Sequence, residues 1–173
     1  MIVIQELHQF DGEMRLPQPS AAHDWDGDKW VVNGDKQSAL DGQETERLCA
    51  KIDAAADSIR TVLAGDPLKA MEYAQAAADA QAYQDAGYPK KEVPLSVAAW
   101  VVKGRTAKQA AEQILGKADE LTDHLLTLRT LRLKAKAQIR AQAAKGNLEQ
   151  AHSAAAEALD AIRELVSGVS SQA

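Results

Sequence analysis

Aromatic side chains are scarce in this 173-residue chain, with three Trp, three Tyr and one Phe making up 4% of it. A broad aromatic core is excluded, and with roughly a fifth of the residues alanine the composition suits close packing of small-sided helices. Cys49 is the single cysteine. It cannot close an intramolecular disulfide, and nothing near it has the paired Cys/His spacing of a zinc site, so a thiol-reducing compartment is expected. Long apolar runs are also missing. Ile2-Val3-Ile4 stops at Gln5 and Glu6, short of a signal-peptide core, and no later stretch approaches the ~20 apolar residues of a membrane span. The expectation is a soluble protein made in the cytosol, with no membrane partner. An excess of positive charge is absent too: 20 Lys and Arg stand against 25 Asp and Glu, a net charge of −5. General binding to a phosphate backbone is not expected.

What the chain does contain divides in two. The first forty residues hold Pro17, Pro19, Gly12, Gly27 and Gly34, both Asp-Gly pairs of that stretch and two of the three tryptophans. Residues 43–166 are dominated by Ala, Leu, Lys, Arg, Gln and Glu. This shift predicts a small β-rich region over 1–42, a helical region over 43–166 and a flexible tail over 167–173, with the boundary near Ser38 to Gln43. The fold class expected is mainly α with a small N-terminal β element, an Ala-rich bundle or coiled-coil-like body. Ile2 to Leu7 reads as a short strand. His23-Asp24-Trp25 and Lys29-Trp30-Val31-Val32 flank Asp26-Gly27-Asp28 as paired strands flank a tight turn.

Downstream, Leu48, Ile52, Ala55, Ile59 and Val62 recur at helical spacing and Gly65 is the stop. Asp66-Pro67 supplies a cap and a first-turn proline for a second helix that ends at Gly87. Tyr88 to Pro94 is a loop. The run Leu95, Val97, Ala98, Trp100, Val101 and Val102 concentrates apolar mass and predicts a buried plug. Thr106 and Gln109 form a capping-box pair that opens a helix reaching about Lys145, where Gly146-Asn147 breaks it before a last helix from Leu148 to about Val166.

The long helix carries two stripes. Ile114, Ala118, Leu121, Leu125, Leu128, Ala135 and Ile139 follow near-heptad steps, and Leu115, Leu126 and Leu133 lie to one side. Such a helix touches more than one neighbour, either within the chain or in a homo-oligomer. Arg129, Arg132, Lys134, Lys136, Arg140 and Lys145 form a run of cations without an intervening acid, and Arg129, Arg132, Lys136 and Arg140 share a face. Without interleaved aromatics this face is read as solvated or paired with Asp53 and Asp57 of the first helix, and nucleic acid is not an expected partner.

No motif nominates catalysis or a cofactor. Asp24, Asp26, Asp28 and Asp35 have the carboxylate spacing of a calcium loop, but the glycine position is Lys29 and the last ligand is Asp rather than Glu, so a surface turn is expected. Ala99 to Thr106 lacks the first glycine and the lysine of a phosphate loop. His8, His23, His124 and His152 are scattered, and Cys49 reads as a small buried residue rather than a nucleophile. The chain is therefore expected not to be an enzyme, with no catalytic, cofactor or metal residues.

Leu16-Pro17-Gln18-Pro19 followed by Asp24-Trp25-Asp26-Gly27-Asp28-Lys29-Trp30-Val31 resembles the Pro-rich lead and W-x-G-x-x-W pattern of tail fibre assembly proteins of tailed bacteriophages. Tyr73, Ala77, Gly87-Tyr88, Val93-Pro94, Val97, Trp100, Thr106, Ala110-Ala111, Ile114-Leu115, Leu128-Arg129 and Arg132-Leu133 extend the likeness over about residues 16 to 140. The long basic helix and the C-terminal helix exceed the usual compact pattern. The resemblance implies a non-enzymatic protein that binds a tail fibre or another tail protein during assembly, in the host cytoplasm or within the virion tail. The alternative is a structural component of the fibre or baseplate, a trimer held through the long helix. The residues expected to serve as docking or core positions are Trp25, Trp30, Val97, Trp100, Val101, Leu121, Leu125, Leu128, Arg129 and Arg132.

Overall fold

The computed structural model describes residues 7–102 and 104–170. It is mainly helical, with two short antiparallel hairpins at the N-terminal side. Strands β1 (His8–Phe10) and β2 (Glu13–Arg15) pair with Phe10 opposite Glu13, leaving Asp11-Gly12 as a two-residue turn. Both turn residues have positive φ, 49° and 84°, the backbone that Asp-Gly favours and that matches strand twist. The strand expected over Ile2 to Leu7 falls mostly on residues 1–6, outside the described residues, and Leu7 itself is not in a strand. Strands β3 (His23–Trp25) and β4 (Trp30–Val32) pair with Trp25 opposite Trp30, as the Asp26-Gly27-Asp28 turn implies.

Helix α1 spans Gly34–Ala64, so it begins before the expected Ser38–Gln43 boundary. The reason is local. Asn33 accepts hydrogen bonds from the backbone N–H groups of Asp35 and Lys36, satisfying donors that a helix start otherwise leaves unpaired. Its amide also donates to Asp24 Oδ2 at 2.7 Å, and Lys36 pairs with the other oxygen of Asp24. One asparagine therefore caps α1 and ties β3 to it. Gly65, at φ 62°, ends the helix where expected.

Helix α2 (Pro67–Asp85) starts on the Asp66 cap. A single turn, α3 (Leu95–Ala98), follows the proline loop. Helix α4 (Ala107–Ala143) opens with the full Thr106/Gln109 capping box, and α5 (Leu148–Ser170) follows the Gly146-Asn147 break. Residues 167–170 are helical rather than part of a tail. The expected flexibility of 171–173 lies outside the described residues.

Two cores form along α4. In the larger, Leu48, Cys49, Ile52 and Ala56 of α1 meet Leu128, Ala135 and Ile139 of α4 and Ala151, Ala155 and Ile162 of α5, a three-helix bundle. Asp53 facing Arg132 and Lys136, and Glu46 facing Arg140, set α1 antiparallel to α4. Alanine on all three helices lets them approach closely, as the composition implies. Val62, expected on the buried face of α1, is exposed, and Cys49 and Ala56 are buried in its stead. In the smaller core, Ala80 and Tyr83 of α2, Val97 of α3 and Ala110 and Ala111 of α4 pack together, with Ile114 and Leu115 at its edge.

Candidate interaction site

The two hairpins meet through aromatic rings. Trp25 and Trp30 contact edge to face at 5.5 Å between centroids, and Phe10 meets Trp30 the same way at 5.2 Å. The Arg15 guanidinium lies 4.7 Å over the Trp25 ring, an attraction between a cation and the electron-rich ring face. Trp30 Nε1 donates to the Leu16 carbonyl at 2.8 Å, giving the half-buried indole a partner for its N–H. Leu16 thus joins the proline-containing lead to the tryptophan pair. Around this cluster Leu7, Met14, Leu16 and Val32 are exposed, an apolar fringe on a small, open β unit.

The aspartates of the calcium-like spacing do not converge. Asp26 Oδ1 accepts from the backbone N–H groups of Asp28 and Lys29, which holds the turn and lowers its carboxyl below the ordinary value. Asp24 is lowered by its bonds to Lys36 and Asn33. Among the described residues no group of three potential metal ligands gathers anywhere. Cys49 is buried in the bundle, and burial pushes its thiol up, away from the thiolate that nucleophilic chemistry needs.

The second aromatic region lies at the start of α4. Val97 is fully buried, but Leu95, Trp100, Val101 and Val102 are exposed. The plug expected over Leu95 to Val102 is therefore not buried: α3 lasts only one turn, so a single side chain reaches the core while the following residues turn outward. Trp100 Nε1 donates to Gln113 Oε1 at 3.2 Å and the Arg105 guanidinium donates to the Trp100 carbonyl, holding the indole against α4. Ser96 donates to Asp79 at 2.7 Å and fixes α3 on α2. Lys108 sits over the Tyr88 ring at 5.2 Å. On α2, Leu68, Met71 and Tyr73 are also exposed.

The long-helix candidates separate by face. Leu128 is fully buried in the bundle, Leu121 is half-buried and Leu125 is exposed. The seam is filled within the chain where Leu128, Ala135 and Ile139 lie. Arg132 and Lys136 both donate to Asp53, Lys136 at 2.5 Å, and Arg140 donates to Glu46. Three of the four cations on that face are thus held by α1. Of the two acids the sequence nominates, Asp53 takes this role, whereas Asp57 pairs with Arg60 on its own helix and Glu46 stands in its place. Arg129 remains exposed.

Sequence reasoning missed Leu95 and Val102 as exposed residues, and the exposed trio of α2. The one available signal was the brevity of the run between Pro94 and Gly104, too short for a helix that could bury two faces. Comparison with family models, curated proteins and solved structures finds no match to this chain. Among the described residues no helix is long and apolar enough to cross a membrane.

Proposed function

We propose that this protein is a non-enzymatic assembly chaperone, or a fibre-associated protein, of a bacteriophage tail fibre, working by protein–protein contacts in the host cytoplasm. The observation that carries the reading is that the resembling residues form one built unit. Leu16 and Trp30 are hydrogen-bonded, Trp30 and Trp25 are in ring contact, and an exposed apolar fringe surrounds them. A motif whose members support one another has a structural reason to stay together, and its fringe offers apolar surface to a client. Exposed Trp100, Val101 and Val102 add a second apolar patch with a tryptophan anchor.

The alternative, a trimeric virion component held by the long-helix seam, has less support, because Leu128, Ala135 and Ile139 of that seam are spent inside the chain. The test is co-expression with the tail fibre protein of a phage that carries this gene. The expected result is soluble, trimeric fibre in its presence and aggregated fibre in its absence. Charge introduced in the fringe, as in Met14→Glu with Val32→Glu, is expected to reduce that yield. Fibre that reaches the trimer equally well without the protein overturns the proposal.

A further inference from the structure

Away from the face that Leu128, Ala135 and Ile139 turn to the core, α4 carries a shallow groove of about 460 Å³ lined by Asp123, Leu126, Thr127, Thr130, Leu131 and Lys134. All six belong to the one helix. Leu126 is 55% exposed and Leu133, one heptad on, 48%. Thr130 donates its hydroxyl to the Leu126 carbonyl at 2.9 Å, so its hydrogen is used within the helix. Asp123 and Lys134 make no ion pair among the described residues. Two leucines and two threonines therefore line the groove between an acid at one end and a cation at the other, roughly 16 Å apart along the axis at 1.5 Å per residue.

That pattern is self-complementary. Asp123 and Lys134, and likewise Thr127 and Thr130, stand symmetrically about the peptide bond between Leu128 and Arg129. The geometry points to a second copy of this chain as the occupant, packed α4 against α4 in antiparallel sense about a two-fold axis at that bond. Asp123 then meets Lys134 of the second copy, and Lys134 meets its Asp123. Leu126 lies level with Leu131 of the second copy and two residues from its Leu133, and the reverse, and Thr127 lies beside Thr130. A two-fold contact has this property by construction: if one residue touches another, the reverse contact forms as well. Parallel pairing, in a dimer or a trimer, sets Asp123 against Asp123 and Lys134 against Lys134, and like charges oppose it. The charges select the direction, and the leucines supply the buried area. This contact is between copies and stands whichever partner the protein serves.

The test is sedimentation velocity on the full chain between about 10 and 500 µM, the range suited to a single-helix contact smaller than a standard interface. Wild type is expected to pass from monomer to dimer. D123K alone or K134D alone places like charges together at both ends and is expected to weaken dimerisation at least ~10-fold. The double variant D123K/K134D restores both pairs in reversed sense and is expected within ~3-fold of wild type. Circular dichroism checks that these exposed substitutions leave the helices intact. A wild type that stays monomeric throughout, a trimer, single swaps without effect, or a double swap that fails to recover each overturns the inference.

Discussion

Replacing Leu128 by alanine probes the bundle on which every surface described above depends. Leu128 is fully buried at the junction of α1, α4 and α5. The loss has two parts, the transfer free energy of the removed branch and the cavity left behind, which together cost about 2–5 kcal/mol in protein cores. Many of its cluster mates, Ala56, Ala135, Ala151 and Ala155 among them, are alanines. Alanine has no side-chain rotamer with which to fill a void, so collapse is limited and the upper half of that range, ~3.5–5 kcal/mol, applies. Against a domain stability of about 5–15 kcal/mol this is a large fraction. Urea unfolding followed by circular dichroism measures it as a shift in midpoint at unchanged slope. Leu126→Ala on the exposed side of the same helix, with equal helix propensity to gain, is the control and, at ~1 µM where the chain is monomeric, is expected to stay within ~0.5 kcal/mol of wild type. A Leu128→Ala cost below ~1 kcal/mol, or equal costs for the two variants, refutes the packing of α4 described here.

Asp53→Asn removes the shared acceptor of half-buried Arg132 and Lys136 and is expected to destabilise the bundle by ~1–2 kcal/mol in the same urea assay, since two neighbouring cations lose their counter-charge. Asp24, Asp26 and Glu44 all have lowered carboxyl pKa values, Glu44 mainly through its hydrogen bond to Arg47. A carboxyl lowered in the folded state adds stability above its unfolded value and loses it as pH falls through the folded one. Urea midpoints are therefore expected to decline on acidification below the ordinary values of 4.5 for Glu and 3.8 for Asp, and Glu44→Gln is expected to flatten the upper part of that decline. Cys49, buried with a raised thiol pKa, is expected to react with a disulfide reagent at least ~100-fold more slowly in the native protein than in urea; equal rates contradict its burial.

Local chemistry was the legible part of this fold. Asp66-Pro67, the Thr106/Gln109 box, Gly65 and Gly146-Asn147 mark helix ends because each satisfies or forbids a specific backbone hydrogen bond within a few residues. The Trp25/Trp30 hairpin was legible for the same reason, its turn being written in three consecutive residues. Tertiary outcomes were less so. Leu95 to Val102 is as apolar as a core segment, and only the shortness of α3 decides that Val97 goes in while Trp100 and Val102 stay out. The start of α1 hid behind Gly34 and Gly42, residues that read as loop until the Asn33 cap is seen to join the helix to Asp24. Strands β1 and β2 lack β-branched residues altogether, so only their Asp-Gly turn marks them. On α4 the periodicity offers two stripes, and which of them α1 and α5 cover depends on the ion pairs of Asp53 and Glu46 as much as on the leucines.

The proposed role is tested most directly by light scattering of the purified protein, alone and co-expressed with the C-terminal part of the tail fibre protein of a phage that carries the gene. A mass of one or two copies is expected for the protein alone, and a single co-eluting complex with the fibre on co-expression. A stable trimer alone, or a protein and fibre that elute apart, contradicts it.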